Sequence, residues 1–195
     1  MDSQTTAFLK TKRLMLRSLE ETDAERCAAW INNPDIRTFV AAYLPQSVEE
    51  ERSWIKGLRD KKDSDITFAM VLIEGNEHIG IMGLHRIDYR AGIAWTGSLI
   101  GRKDLWQQGL GSEAKMAVLD YAFHTLMLRK VCTSVYAFNE RSLGCQLKCG
   151  YREEGRLRQQ RPHEGEYVDE IMLGVFRSDF EPLWQRFVAN GTSWK

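Results

Sequence analysis

The chain has 195 residues, of which 43% are hydrophobic and 28% are charged, a composition typical of a globular protein and not of a disordered one. Lysine plus arginine and aspartate plus glutamate number 27 each, so the formal net charge is zero. A general nucleic-acid binder normally carries a basic excess, and we therefore expect no nucleic acid among the partners.

The sequence shows no targeting or membrane-spanning segment. Residues 1–20 contain no apolar signal region, and no run of about eighteen apolar residues occurs. The four cysteines, Cys27, Cys132, Cys145 and Cys149, form no CxxC pair, so we expect no disulfide framework and no metal site. Cys145 and Cys149 are four residues apart and are interpreted as small buried thiols on one helix face. Together these features predict a cytoplasmic protein that does not bind membranes.

The first half of the chain predicts a strand, two helices and an antiparallel meander. The second helix opens with a capping box, Ser47 and Glu50, and the turn signal 74–77 joins the first two meander strands. The predicted elements are, in chain order, a strand over 13–19, helices over 21–33 and 47–62, and strands over 66–73, 78–87 and 91–101.

In the second half, helices and strands alternate. Gly150 directly follows a short predicted helix, and glycine is the residue that commonly ends a helix at its C-terminus. The predicted elements are a helix over 112–127, a strand over 130–138, a helix over 140–149, a strand over 166–176 and a helix over 178–190. This order indicates a mixed sheet with flanking helices in a single domain over 10–180, which a C-terminal helix and tail over 181–195 continue.

The stretch WQQGLGSEA (106–114) places two glycines directly before a predicted helix. A Walker loop requires Lys-Ser/Thr after its last glycine, which Ser112-Glu113 does not supply. The letters G-x-G-x-x-A fit a dinucleotide fingerprint, but no strand ends directly before Gly109 and the strand over 130–138 ends without an acidic residue. A pyrophosphate cradle is the third interpretation: main-chain N–H groups of residues 108–112 would face an anion at the helix N-terminus. A capped helix with incidental glycines is the structural alternative.

Taken with the downstream motifs, the chain resembles the GNAT superfamily of N-acetyltransferases, in its RimJ/RimL-like branch of ribosomal-protein-alanine and spermidine acetyltransferases. The superfamily's acyl-CoA loop, Q/R-x-x-G-x-G/A, matches 106–111 with Trp106 in its first position. The late strand GEYVDEIML is also similar. The downstream motif positions are Asn139, Ser142, Lys148, Gly150, Tyr151, Glu154 and Gly155.

This resemblance implies an α/β (α+β) fold with a mixed, mostly antiparallel sheet of six to seven strands, splayed central parallel strands and flanking helices. The splayed strands would be 95–101 and 130–138, and the gap between them would hold the pantetheine arm of acetyl-CoA, the implied co-substrate. The implied cofactor-binding residues are Leu99, Ile100, Gly101, Gln107, Gln108, Gly109, Leu110, Gly111, Ser112, Asn139 and Lys148.

The implied reaction is acetyl transfer to a primary amine by direct attack in a ternary complex. Spermidine acetyltransferases place a tyrosine acid where this chain has Gln146. Ser142 matches the serine proposed as the thiolate's proton donor in the ribosomal-protein branch and is the candidate that the resemblance implies; capping of the helix from Glu140 is its alternative role. No carboxylate stands at the usual base positions, which read Thr-Gly-Ser over 96–98 and Arg161. His85 is a possible base, although a strand histidine is more often simply hydrogen-bonded.

The predicted function is therefore that of an acyltransferase whose acceptor is a protein N-terminal amine or a small-molecule amine. The alternatives are a polyamine acetyltransferase, a non-catalytic acyl-CoA-binding or sensing module, and a nicotinamide-dependent oxidoreductase. The last of these is supported only by the G-x-G-x-x-A match. The aromatic segment DFEPLWQRF (179–187) offers a surface for a homodimer, and burial of its own helix on the sheet explains it equally well.

Overall fold

A computed structural model describes residues 6–61 and 63–193 and contains one eight-stranded sheet flanked by helices. The strands are β1 (Leu9–Lys10), β2 (Leu14–Ser18), β3 (Ile66–Leu72), β4 (His78–Asp88), β5 (Ile93–Ile100), β6 (Lys130–Tyr136), β7 (Arg152–His163) and β8 (Glu166–Phe176). The α-helices are α1 (Ala24–Asn32), α2 (Pro34–Arg37), α3 (Val48–Gly57), α4 (Leu110–Asp120), α5 (Glu140–Lys148) and α6 (Arg177–Ala189). None of the described helices is long and apolar enough to cross a membrane.

The sheet is antiparallel except at its centre. Its strand order is β1-β2-β3-β4-β5-β6-β8-β7, and β5 with β6 is the parallel pair of the described sheet. These two strands pair only from Ile93 with Lys130 to Trp95 with Cys132, although β5 continues to Ile100. Beyond Trp95 the strands part, so a gap opens at the middle of the sheet.

Each face of the sheet has its own core. Side chains alternate between faces along a strand, and Met82 and Leu84 belong to the large cluster that includes the buried side chains of α4 and α6. On the other face Leu99 packs with Trp30 of α1 and Ile36 of α2 in a smaller cluster. Helices α4 and α6 therefore cover one face, and α1 and α2 cover the other.

The predicted mixed fold with splayed parallel strands is confirmed, but eight strands replace the predicted six to seven. The sequence prediction missed β1, β7 and the short helix α2. Strand β7 is largely exposed, half of its 12 residues are Arg or Glu, and it contains Pro162, so its sequence lacks the apolar alternation of a half-buried strand. It pairs only with β8 at the edge of the sheet, where proline and charge are tolerated.

Predicted and observed helix bounds differ by a few residues. The capping box of Ser47 and Glu50 is present on α3, which ends at Gly57 and is followed by a 3-10 turn over Leu58–Lys61; Lys62 lies outside the described residues. The predicted helix over 112–127 is α4 followed by a π-helical turn over Tyr121–Thr125.

The aromatic residues of α6 face the protein's own core. Phe180 and Phe187 are fully buried in the large cluster, and Trp184 packs against it. This favours burial on the sheet over a dimer surface as the reason for the aromatic segment. The division into 10–180 and 181–195 stays a prediction, and residues 194–195 lie outside the described part.

Candidate active site

A cleft of about 810 Å³ passes through the sheet where β5 and β6 part. Its lining includes Ser112 and Lys115 of α4 on one face, and Ile36 of α2 with Phe39 on the other. Because both faces contribute, a ligand held beside α4 can be reached by a second ligand from the α2 side. The cleft therefore has the form of a two-substrate site.

Gly109 shapes the turn at the start of α4. It is the N-cap residue and has φ +79° and ψ 0°, a left-handed conformation that glycine adopts without a steric penalty. Gly111 lies two residues later, in the first turn of α4, where a Cβ would contact Ile100 Cδ1 at 3.4 Å and Cys145 Sγ at 3.8 Å. Both glycines line the cleft, so main-chain N–H groups at the positive end of the α4 dipole border it.

A buried ion pair anchors this turn to the N-terminal strands. The carboxylate of Glu113, whose residue is fully buried, accepts hydrogen bonds from Thr11 Oγ1 at 2.7 Å and from the amide of Arg13 at 2.8 Å. Arg13 Nη2 lies 2.7 Å from Glu113 Oε2, and Arg13 Nη1 donates to the carbonyl oxygen of Gln108 at 2.9 Å. The glycine turn is thus held from outside the cleft.

The register of β5 determines which of its main-chain groups face the gap. The amide of Gly101 donates to the carbonyl of Ile79 at 2.9 Å. Main-chain groups alternate in direction along an antiparallel strand, so those of Leu99 and Gly101 face β4, whereas those of Ser98 and Ile100 face the gap. Ser98 is therefore a gap-facing residue that sequence reasoning missed.

Two side chains reach the carbonyl oxygens on this edge. Trp106 Nε1 donates to the carbonyl of Ile100 at 2.9 Å, and Thr133 Oγ1 donates to the carbonyl of Thr96 at 3.0 Å. The main-chain groups of Ser98 lie between these two carbonyls. A ligand amide that pairs with this edge would therefore bond to the main-chain groups of Ser98.

Helix α5 borders the opposite side of the cleft. Its cap is Asn139, whose Oδ1 accepts from the amide of Ser142 at 3.1 Å, so Ser142 does not itself cap the helix. The Ser142 hydroxyl accepts from Gln146 Nε2 at 3.5 Å. Gln146 is 3% exposed, and its Oε1 has no hydrogen-bond partner among the described residues. A buried acceptor without a partner in a cleft fits a ligand that supplies an N–H group.

Cys145 is a thiol in the wall of the cleft. Ser112 Oγ donates to its Sγ at 3.3 Å, while the buried Cys149 donates to the carbonyl of Ser112 at 3.6 Å. The neighbouring Cys149 thiol and the charge of Lys115 lower the pKa of Cys145 below its usual value, against the opposing effect of burial. Burial raises the pKa of Cys149. The interpretation as buried thiols holds for Cys149, but Cys145 lines the site.

Lys115 is a fully buried cation at the floor of the cleft. Its Nζ donates to Thr96 Oγ1 at 3.1 Å, and the Thr96 hydroxyl lies 2.8 Å from the Tyr151 hydroxyl. The ammonium also lies 5.7 Å from the centre of the Tyr151 ring. Burial lowers the pKa of Lys115. Sequence periodicity placed a lysine on this helix but could not show that it points inward.

The α2 side of the cleft carries a buried carboxylate. Glu170 of β8 is 5% exposed, accepts from Ser134 Oγ at 2.6 Å, and accepts from Arg161 Nε at 2.9 Å. The resemblance implied a catalytic carboxylate at about position 161, where this chain has Arg161; the structure brings Glu170 beside it from the neighbouring strand. Among the described residues that line the cleft, four are cationic and two acidic: Lys115, Arg141, Lys148 and Arg161, with Glu140 and Glu170.

The structure brings most of the predicted site residues together. Those that line the cleft are Leu99, Ile100, Gln107, Gly109, Gly111, Ser112, Asn139, Ser142 and Lys148. The other three point elsewhere. Gly101 lies against Trp30, the Gln108 side chain donates to the carbonyl of Asp104 at 2.8 Å, and Leu110 is buried in the core. Gln108 and Leu110 can therefore contribute only main-chain groups.

The chain is similar to proteins named as N-acetyltransferases. p20 of Bacillus licheniformis, named an uncharacterized N-acetyltransferase, is 27% identical over 174 residues, which cover 88% of this chain and 97% of p20. YoaA of Bacillus subtilis strain 168, named in the same way, is 29% identical over 172 residues, which cover 87% of this chain and 97% of YoaA.

Solved structures share the fold. The spermidine N-acetyltransferase from Vibrio cholerae in complex with CoA and spermine matches with a TM-score of 0.77 at 25% identity, over 87% of this chain and 98% of that one. Mycobacterium smegmatis RimJ in complex with CoA-disulfide matches with a TM-score of 0.82 over 98% of each chain; at 19% identity this likeness shows the fold alone. The family model described as "Acetyltransferase (GNAT) domain" matches residues 13–152, most of the chain. With the parted central strands and the glycine turn at the start of α4, this match shows that the chain belongs to the GNAT family of N-acetyltransferases.

Proposed function

We propose that this protein transfers the acetyl group of acetyl-CoA to a primary amine by direct attack in a ternary complex, and that its acceptor is an α-amine, as at a protein N-terminus, or a small-molecule amine. The observation that carries the proposal is the cleft through the sheet, which opens to α4 on one face and to α2 on the other. Coenzyme and amine can therefore occupy such a cleft at the same time, one from each face.

The α4 side fits a coenzyme with a diphosphate. Gly109 and Gly111 allow the main chain of residues 108–112 to approach an anion closely, and Lys148 adds positive charge to the lining. Ser98 on the strand edge and Gln146 Oε1 on α5 face the space that a pantetheine arm would cross. A structural neighbour crystallised with CoA supports the same assignment.

The charge of the cleft lining favours a monoamine over a polyamine. A polycation needs several carboxylates, but Glu140 and Glu170 are the acidic residues among the described lining, and Arg161 already binds Glu170. The neighbour that was crystallised with spermine shares the fold, yet this chain has Gln146 where the resemblance to spermidine acetyltransferases implied a tyrosine acid. We therefore place the polyamine alternative second.

The energetics agree with an α-amine acceptor. Holding both reactants in attack geometry can supply roughly 7–11 kcal/mol of the barrier. An alkyl ammonium with a pKa of about 10.4 costs roughly 4–5 kcal/mol to deprotonate at pH 7, whereas an α-amine with a pKa of about 8 costs roughly 1 kcal/mol. An α-amine therefore needs much less assistance from the enzyme.

Release of coenzyme A thiol from acetyl-CoA, measured against a panel of amines, tests the proposal. The panel contains a peptide with a free N-terminus, the same peptide with a blocked N-terminus, a lysine side-chain amine and spermidine. We expect the free peptide to be the best of the four and the blocked peptide to be inactive. Spermidine as the best acceptor would replace this proposal with the polyamine alternative.

Calorimetry with acetyl-CoA separates binding from turnover. Binding without thiol release from any amine in the panel would contradict the proposed acceptor class. Retention of a radiolabelled acetyl group on the protein in the absence of amine would contradict direct attack, because a ternary mechanism forms no acetylated enzyme.

A further inference from the structure

His85 lies on the face of the sheet from which the acceptor must approach. Its strand neighbour Leu84 belongs to the core beneath α4, so the alternation of side chains turns His85 to the α2 face. If the coenzyme is held at the α4 side, as in the proposed function on which this inference rests, then the amine reaches the acetyl group from the α2 face. His85 and the acceptor thus share one face.

Two glycines leave room for the imidazole beside the cleft. Gly83 and Gly97 are register partners on β4 and β5. A Cβ at Gly83 would lie 3.0 Å from His85 Nε2, and a Cβ at Gly97 would lie 3.4 Å from the same atom. Gly97 lines the cleft, as does Trp95, the register partner of His85. Nε2 therefore lies against the strand that forms the cleft wall.

Asp65 holds the other nitrogen of the ring. Nδ1 of His85 lies 3.3 Å from Asp65 Oδ1, and Ser64 Oγ donates to the second oxygen of this carboxylate at 2.6 Å. A carboxylate at Nδ1 favours the tautomer in which Nδ1 carries the proton and Nε2 is a free base. Within the described part of the chain, Nε2 has no hydrogen-bond partner.

A second polar atom without a partner lies on the same patch. Thr67 is the register partner of Gly83 on the other side, so its side chain shares the face of His85. Its Oγ1 is buried and has no hydrogen-bond partner among the described residues. Buried polar atoms are nearly always hydrogen-bonded to protein, ligand or ordered water, so this hydroxyl can still bond to a polar group brought to the patch.

The surroundings of His85, burial first among them, lower its pKa and favour the neutral ring. Burial lowers the pKa of His85, Asp65 raises it, and the positive charges of Lys115 from α4 and Arg86 on its own strand lower it further. The resulting pKa lies below the ordinary value for histidine. A neutral imidazole at pH 7 can accept a proton.

The carboxylate on the same face is less suited to that role. Glu170 accepts hydrogen bonds from Ser134 and from Arg161, and these bonds occupy both of its carboxylate oxygens. His85, by contrast, has an uncommitted nitrogen. The two groups are therefore distinguishable by mutation.

We propose that His85 is the catalytic base of this enzyme and that Asp65 is its positioning residue. As the acceptor nitrogen bonds to the acetyl carbon, the carbon–sulfur bond breaks and its electron pair leaves on the coenzyme A sulfur as a thiolate. The proton lost by the nitrogen passes to Nε2, giving an imidazolium that Asp65 stabilises. The imidazolium then returns this proton to solvent.

The test compares pH profiles of kcat/KM for the wild type, His85→Gln, Asp65→Asn and Glu170→Gln, with the best amine of the panel. His124→Gln is the matched control, because His124 also pairs with carboxylates, Asp120 and Glu181, but lies in the π-helical turn that follows α4 and packs against Phe180 of α6. We expect His85→Gln to lower kcat/KM by about 10²–10⁴-fold, with unchanged affinity for acetyl-CoA. It should also remove the acidic limb of the pH profile, which reports the pKa of the base. Asp65→Asn should produce a smaller loss and shift that limb.

Retention of the limb in His85→Gln, or its loss in Glu170→Gln instead, would overturn the inference. Nitrogen-15 NMR of the histidines in the whole protein provides a measurement that is independent of turnover. We expect His85 to be neutral at pH 7 with its proton on Nδ1. A protonated ring, or a proton on Nε2, would contradict the assignment of His85 as the base. Failure to acetylate any amine of the panel would count against the proposed acceptor and would leave the NMR test of His85 intact.

Discussion

Arg13 and Glu113, a hundred positions apart in the chain, form an ion pair with 2.7 Å between Nη2 and Oε2, and the Glu113 side chain is fully buried. The same guanidinium donates to the carbonyl of Gln108 at 2.9 Å. One side chain thus neutralises a buried carboxylate and holds the turn that precedes α4.

We therefore expect Arg13→Met to destabilise the fold by about 3–5 kcal/mol, because it leaves a buried carboxylate unpaired. It should also weaken acetyl-CoA binding, because the turn loses its anchor at Gln108. Urea unfolding and calorimetry measure the two effects. Arg156→Met removes an exposed ion pair with Glu153 and should leave the unfolding midpoint unchanged; an equal loss in both variants would show that burial of the pair is not the cause.

Gly109→Asp should reduce the affinity for acetyl-CoA by at least about a hundredfold, since every 1.4 kcal/mol is tenfold and a carboxylate in the cradle repels the diphosphate. Gly75→Asp is the matched control, because Gly75 has a similar φ of +77° in a hairpin turn with open space around it. Both variants carry the same backbone strain, so calorimetry of the pair isolates the effect of the cradle. Unchanged affinity in Gly109→Asp would refute the anion site.

The contact between Lys115 and Thr96 predicts a non-additive pair of mutations. Thr96→Val removes the acceptor of the buried ammonium and should cost about 1–3 kcal/mol of stability. Adding Lys115→Met should recover part of this loss, because no buried charge then remains without a partner. A double-mutant cycle from urea unfolding checks this; additive costs would mean that the two groups do not interact.

Cys145 should react faster than an ordinary thiol at neutral pH. Its pKa is lowered by the neighbouring Cys149 thiol and by Lys115, so a larger thiolate fraction is present at pH 7 than for a thiol with a pKa of about 8.5. The rate of iodoacetamide labelling against pH, read by mass spectrometry, should have its midpoint below that value, and acetyl-CoA should protect the site.

The variant Lys115→Met provides the control for this reactivity. Loss of the neighbouring positive charge should move the labelling midpoint of Cys145 to higher pH. Cys149 is fully buried and its pKa is raised, so it should remain unlabelled in the folded protein. Labelling of Cys149 before Cys145 would contradict the structure.

Local patterns in the sequence were sufficient for the family, the fold class and the glycine turn. The apolar runs of β3 and β4, the capping box of α3 and the stop at Gly150 are properties of neighbouring residues, and each is present in the structure. The motif over 106–111 also needs only local geometry, because a helix N-terminus and its preceding glycines form one anion site.

Tertiary structure alone decided which side chains meet at the cleft. Strand β7 forms because β8 pairs with it, and Glu170 meets Arg161 only through that pairing. The burial of Lys115 beneath Thr96 and the position of His85 beside Gly97 depend likewise on register between strands and helices that are distant in the chain. A hydrophobic pattern specifies the face that an element buries, but polar partners are set by the relative placement of elements, which a single sequence does not encode locally.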